Sequence, residues 1–274
     1  MLAAVRTRGA EPAITGVVRG VPAVGLDDDD LERFLARDGV RKISARDLAL
    51  VASARGDGAT TVAASLVLAH AAGVAVLATG GIGGVHRVAP AQPQAESAVR
   101  DESADLDELA RTPMVVVCAG AKTILDLPAT MERLESLGVA VVGYRTDELP
   151  GFLTCGTGIS LAWRVDTAAE VGAVWRMQRS LGRTQSIVVV QPPPAEHALS
   201  RELVDGAVNR ALEAAARAHV HGAALTPWLL WRVEQETGGA SLAANVALLE
   251  SNADLAGEIA MEVVKPVEIG RAHA

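Results

Sequence analysis

The sequence predicts an α/β protein, a three-layer α/β/α sandwich with a largely parallel central sheet and a helical C-terminal region. Three observations carry that expectation. Short apolar runs rich in valine, at 74–78, 114–119, 139–143 and 186–191, alternate with segments of helical pattern. Runs without polar alternation suit strands buried between layers of helix. From Ser200 onward the pattern changes: Leu203, Val208 and Leu212, then Leu229, Leu230 and Val233, fall at helical spacing. The 274 residues, 50% hydrophobic, suffice for a substantial core and are read as one domain over 1–274.

In chain order, residues 13–24 read as two strands turning at Arg19-Gly20, and 27–38 as a helix whose run Asp27 to Asp30 places carboxylates at its N-terminus. Gly56 to Thr61 reads as a loop ahead of a helix over 60–72, with N–H groups and hydroxyls able to hold a phosphate, although the spacing is not that of a Walker loop. The strand 74–78 runs into Thr79-Gly80-Gly81-Ile82-Gly83-Gly84-Val85-His86-Arg87, whose glycines allow close backbone approach. Residues 89–100 form a polar, unpatterned loop. The helix 128–137 separates the strands 114–119 and 139–143, and Gln191-Pro192-Pro193-Pro194 ends the strand 186–191 abruptly.

A net charge of −8, with 25 basic residues scattered along the chain, argues against a nucleic-acid polymer as partner. Cys118 and Cys155, the only cysteines, read as structural thiols of a reduced compartment. No apolar stretch approaches the roughly 20 residues needed to span a bilayer, so a soluble, cytoplasmic protein is expected.

The residue that points to chemistry is Lys122, delivered by the apolar run Met114 to Cys118 through Ala119-Gly120-Ala121. Burial disfavours an ammonium, and a neutral lysine amine attacks carbonyl carbon to form Schiff bases. Asp101-Glu102-Ser103-Ala104-Asp105 stands before a helix, where it serves either as a cap or, through Asp101, as a ligand for a largely hydrated Mg²⁺ or Mn²⁺. His86 and Lys42 carry meaning only if they share a pocket with Lys122.

Five ordered motifs then add up: Lys42-Ile43-Ser44-x-Arg46-Asp47-Leu48, Gly58-Ala59-Thr60-Thr61-Val62, the 78–87 glycine segment, Ser103-Ala104-Asp105-Leu106, and Val117-Cys118-Ala119-Gly120-Ala121-Lys122-x-Ile124-Leu125-Asp126. Together they resemble the pseudouridine-5′-phosphate glycosidases, the indigoidine synthase A-like family, over essentially the whole chain. The resemblance implies an enzyme that opens the ribose ring of pseudouridine 5′-phosphate, holds the sugar as a lysine imine and reversibly breaks the C–C bond to give uracil and ribose 5-phosphate. It makes Lys122 the nucleophile, Lys42 a second active-site lysine that moves protons and binds substrate, and Asp101 the ligand of one Mn²⁺. Val62, Ser103, Ala104 and Asp105 match substrate-binding positions, His86 and Asn245 match polar pocket positions, and a homotrimer is expected.

Two departures stand out. The family's general-acid glutamate lies in an Ala-Leu-Glu-Ser-Thr-like motif ahead of its first helix, whereas this chain starts at Met1 within the end of that helix, and Glu11 lies beyond it. The 87–101 loop is longer than usual and lacks a Gly-Glu-x-Thr approach to Asp101. These motivate two alternatives: a C-glycosynthase joining ribose 5-phosphate to another acceptor, and a catalytically impaired homologue.

Overall fold

The computed structural model describes residues 1–36, 38–87, 101–220 and 225–265. The polar loop expected at 89–100 lies outside the described residues. The strands divide between two sheets. The smaller contains β1 (Thr15–Val18), β2 (Val21–Val24), β3 (Val40–Ile43) and β4 (Asp57–Thr60), in the order β2-β1-β4-β3. Only β3 and β4 pair in parallel. The larger is wholly parallel and contains β5 (Val76–Ala78), β6 (Val115–Cys118), β7 (Ala140–Tyr144), β8 (Arg164–Val165) and β9 (Ile187–Val190), in the order β5-β6-β9-β7-β8.

The large sheet is the centre of the expected sandwich. Val116, Cys118, Val188 and Val190 point into one core, and Val115, Val117, Ile187 and Val189 into the other, so β6 and β9 are apolar at every position because both faces are covered. The first core takes α5 (Ala104–Leu109), α6 (Leu127–Ser136), α8 (Arg201–Arg217) and α9 (Leu225–Glu236); the second takes α7 (Ala168–Ser180) and the C-terminal part of α10 (Ala240–Val263). The helical C-terminal region is therefore confirmed, although Leu203 lies on the outer face of α8.

The small sheet has its own core with α3 (Leu48–Ser53) and α4 (Val62–Ala71). Helix α4 joins the two halves: Ala64 and Leu68 pack on the small sheet, while Leu66 and Ala69 enter the core of the large one. A helix apolar around its circumference is a helix buried on all sides. The loop expected at Gly56 to Thr61 is instead mostly strand β4. Gly58 is required there because a Cβ would stand 2.4 Å from the Ile43 side chain on β3.

The N-terminal α1 (Leu2–Thr7) and the residue after it lie along α10, where Arg8 makes a two-pronged ion pair with Asp254 at 2.7 and 2.5 Å. The hairpin 15–24 turns at Arg19-Gly20 as expected, and the acidic helix is α2 (Asp28–Ala36).

Candidate active site

The site is built where β6 runs out. Gly120 adopts φ +91°, a backbone conformation that suits glycine, and a Cβ there would stand 2.5 Å from the Pro150 carbonyl. The chain then runs beside the glycine segment that follows β5. Ala119 N–H donates to the Gly80 carbonyl (2.9 Å), Ile82 N–H to the Gly120 carbonyl (3.1 Å), and Lys122 N–H to the Ile82 carbonyl (3.1 Å). Further along, Asp126 N–H donates to Val85 O and His86 N–H to Asp101 O, both at 2.9 Å, while Ser103 N–H donates to Gly84 O at 3.0 Å. One short glycine ribbon thus fixes the positions of Lys122, His86, Asp101 and Ser103.

The glycines are required by contact. A Cβ on Gly83 would fall 2.1 Å from Ser103 Oγ, and one on Gly84 2.4 Å from Thr130 Oγ1. Asp105, buried, fastens this assembly to α4: its carboxylate accepts from Ala63 N–H at 2.9 Å and Gly83 N–H at 2.8 Å. Ser103 caps α5 by accepting from Asp105 N–H (3.3 Å), and Ala104 is the first residue of that helix. The 101–105 segment therefore does act as a cap, and Asp105 already serves two backbone donors as well as lying near Lys122.

Lys122 is half-buried, and burial lowers the pKa of its amine below the ordinary lysine value; Asp105 opposes the shift and Lys42 reinforces it. Burial likewise lowers the His86 imidazole, with Asp101 opposing and Lys122 and Lys42 reinforcing. These mutual influences place Lys42, His86, Asp101, Asp105 and Lys122 in one electrostatic neighbourhood. Lys42 comes from β3 of the small sheet and Lys122 from the end of β6, so the site lies at the seam between the sheets. Thr61 N–H bonds to the Ile43 carbonyl (2.9 Å), which sets Thr61 and Val62, the first residue of α4, beside the Lys42 strand.

Asn245 approaches from α10, its Oδ1 3.2 Å from where a Gly80 Cβ would be. Seven residues on, on the same helix face, lies a residue that sequence reasoning missed. Asn252 is fully buried, donates to the Thr79 carbonyl (2.8 Å) and accepts from Gln191 Nε2 (2.9 Å). It locks α10 and the end of β9 to the start of the glycine ribbon. The available signal was the Asn245 and Asn252 spacing of two helical turns. Thr61 Oγ1, next to Val62, is buried without a hydrogen-bond partner.

Cys118 lies beneath this floor, where burial pushes its thiol up to about 11, as befits a structural thiol; Cys155 is exposed. Glu11 is exposed and pairs with Arg6 at 3.3 Å. Among the described residues no three His, Cys, Asp or Glu side chains gather as a metal site. Asp101 offers one exposed carboxylate close to His86, a donor set that fits a hard divalent ion keeping most of its waters.

A profile of the family described as indigoidine synthase A like protein matches residues 1–262. The chain belongs to this family. Among relatives of the family, pseudouridine-5′-phosphate glycosidases from Gemmatimonas aurantiaca and Chloroflexus aurantiacus are 57% and 48% identical, the alignments covering 97% and 95% of this chain and 84% and 85% of theirs. Two solved structures share the fold. The prealnumycin C-glycosynthase AlnA, in complex with ribulose 5-phosphate, superposes with a TM-score of 0.87 at 36% identity, over 95% of this chain and 84% of that one. An indigoidine synthase A-like protein from Thermotoga maritima gives 0.84 at 34% identity, over 94% and 82%. No described helix is long and apolar enough to cross a membrane.

Proposed function

We propose that this chain reversibly cleaves the C–C glycosidic bond of pseudouridine 5′-phosphate to uracil and ribose 5-phosphate, with Lys122 as nucleophile. The observation that carries the proposal is an amine with a burial-lowered pKa at the end of β6, gathered with a second lysine and a histidine. The names of the most similar relatives support the substrate.

A C–C glycosidic bond has no heteroatom leaving group, so protonating an exocyclic oxygen, as O-glycosidases do, offers nothing. Neutral Lys122 Nζ instead bonds to C1′ as the C1′–O4′ bond breaks and O4′ takes a proton. The nitrogen lone pair then forms the C1′=N bond while the C1′–C5 pair leaves on the uracil ring, which is protonated at C5. Water hydrolyses the imine, releasing ribose 5-phosphate and restoring the lysine. Lys42, whose charge also helps keep Lys122 neutral, and His86 move protons and meet the sugar. Thr61, Val62 and the Ser103 to Asp105 turn face the substrate, and Asn245 orients the base beside Gly80. Asp101 would hold a hydrated Mn²⁺, which supplies positive charge near the substrate's oxygens. The functional assembly is a homotrimer.

The likeness to AlnA favours one second reading, the same lysine chemistry run toward C–C bond formation with a different acceptor. Incubating the folded chain with pseudouridine 5′-phosphate and Mn²⁺, and separately with ribose 5-phosphate plus uracil, distinguishes the two. Uracil release and the reverse synthesis are expected. A folded protein that forms the ribose 5-phosphate imine yet gives neither product overturns the glycosidase reading in favour of the second.

A further inference from the structure

Behind the turn that carries Lys122 lies a second recess of about 580 Å³, within the range of small-ligand pockets. Lys122, Lys42, His86 and Asp105 do not line it. Its walls are Thr123 to Pro128, the loop 151–159 and the first turn of α8, with Arg87 reaching in from the glycine ribbon.

Several features give it a chemical preference. Arg87 uses Nε and one Nη2 proton on the Leu125 and Thr123 carbonyls, at 2.9 and 3.0 Å, which fixes its guanidinium while leaving further N–H groups to donate. Arg201, on the first turn of α8, also lines the recess. The N-termini of α6, ten residues, and α8, seventeen residues, both open on the recess and bring the positive ends of their dipoles to it. Thr123 forms part of the wall, is only 5% exposed, and its Oγ1 has no hydrogen-bond partner. A buried hydroxyl without a partner is costly unless something completes it. Two carboxylates are present: Asp126 accepts from Ala129 N–H as the cap of α6 (3.0 Å), and Asp205 pairs with Arg201 at 3.4 Å. The Arg201 pair is long and solvent-exposed, so a doubly charged oxyanion can replace Asp205 as its partner.

We infer that this recess is a second binding site, for a small phosphomonoester of pentose-phosphate size, held between Arg87 and Arg201. Its wall is the segment that follows Lys122 in the chain. Arg87 holds the carbonyls of Thr123 and Leu125, so occupancy bears directly on the turn that positions the nucleophile.

The test uses ribose 5-phosphate as probe on the full chain. Borohydride reduction in its presence fills the Lys122 site, and mass spectrometry reads that adduct, which tests the proposed function alone. Reversible binding of labelled ribose 5-phosphate to the trapped, dialysed protein then reads the second site. One further equivalent is expected, weakened by salt and reduced about tenfold or more by Arg201→Glu, in line with loss of a charged hydrogen bond. Thr123→Val is a second variant in the same wall that removes the unpartnered hydroxyl and leaves the charges in place, and weaker binding is expected from it too. If no adduct forms, the same titration on untreated protein with and without Arg201→Glu still decides the matter. Absence of a reversible equivalent, or binding that Arg201→Glu leaves unchanged, overturns the proposal.

Discussion

Replacing Gly83 with alanine strikes the joint on which the site depends. The new methyl would stand 2.1 Å from Ser103 Oγ, 2.4 Å from Ser103 Cβ and 2.8 Å from Asp105 Oδ2. Ordinary contacts are more than 3 Å, so the start of α5 must retreat by roughly 1 Å, a displacement on the scale at which overpacking costs about 1–3 kcal/mol. The retreat also stretches the 2.8 Å bond from Gly83 N–H to the Asp105 carboxylate, and a hydrogen bond to a charged group contributes about 1.5–3 kcal/mol. The two together give a loss of about 2.5–6 kcal/mol, with domain stabilities of about 5–15 kcal/mol as the reference. The variant is expected to fold with a visibly lower melting temperature. Because Ser103 to Asp105 move relative to Lys122, kcat/KM for uracil release should fall about 100-fold, the usual penalty for a 1 Å misplacement. Differential scanning fluorimetry and steady-state kinetics read both effects. Parent-like stability and kcat/KM in Gly83→Ala would refute the view that this glycine exists to admit Ser103 and Asp105.

Other perturbations have equally definite outcomes. Since burial lowers the Lys122 amine, the rate of imine trapping should rise with pH through a value below the ordinary lysine pKa of about 10.4; Lys42→Met removes a charge that aids this lowering and should move the rising limb to higher pH. Asp57 is buried, which by itself would raise its carboxyl, but the Arg19 N–H (2.7 Å) and Arg33 (2.5 Å) hold it below the ordinary value. Its contribution is therefore complete above about pH 4, the unfolded carboxyl value, and is lost as pH falls through the lower folded one. Asp57→Asn should cost about 1–3 kcal/mol in urea unfolding at pH 7, and progressively less as the pH falls through the lowered folded value. Gly206 lies inside α8, and an added Cβ meets only the Arg210 side chain at 3.3 Å; Gly206→Ala should stabilise the fold by about 0.5–1 kcal/mol without changing kcat.

Much of this architecture was legible because its causes are local. Valine runs at 114–119 and 186–191 have no polar alternation, and that pattern requires cover on both faces, which α7 and α10 on one side and α5, α6 and α8 on the other provide. What escaped was the division into two sheets. Nothing in Val40 to Ile43 or Asp57 to Thr60 states which sheet they join; that follows from the antiparallel pairing of β1 with β4 and from α4 filling both cores. The lysines, His86 and Asp101 were legible as motif residues, and only tertiary structure brings Lys42 from one sheet toward Lys122 from the other. For Asn252 the spacing from Asn245 marks only a shared helix face; its role follows from its partners, the Thr79 carbonyl and Gln191, more than fifty residues away in sequence.

The most direct test of the central claim is chemical trapping at a named atom. Incubation of the folded chain with ribose 5-phosphate and borohydride, followed by proteolysis and mass spectrometry, should give one reduced pentose-phosphate adduct, on Lys122, and none in Lys122→Gln. An adduct confined to another lysine, or none on a chain that keeps its native melting curve, would contradict the assignment of Lys122 as the nucleophile.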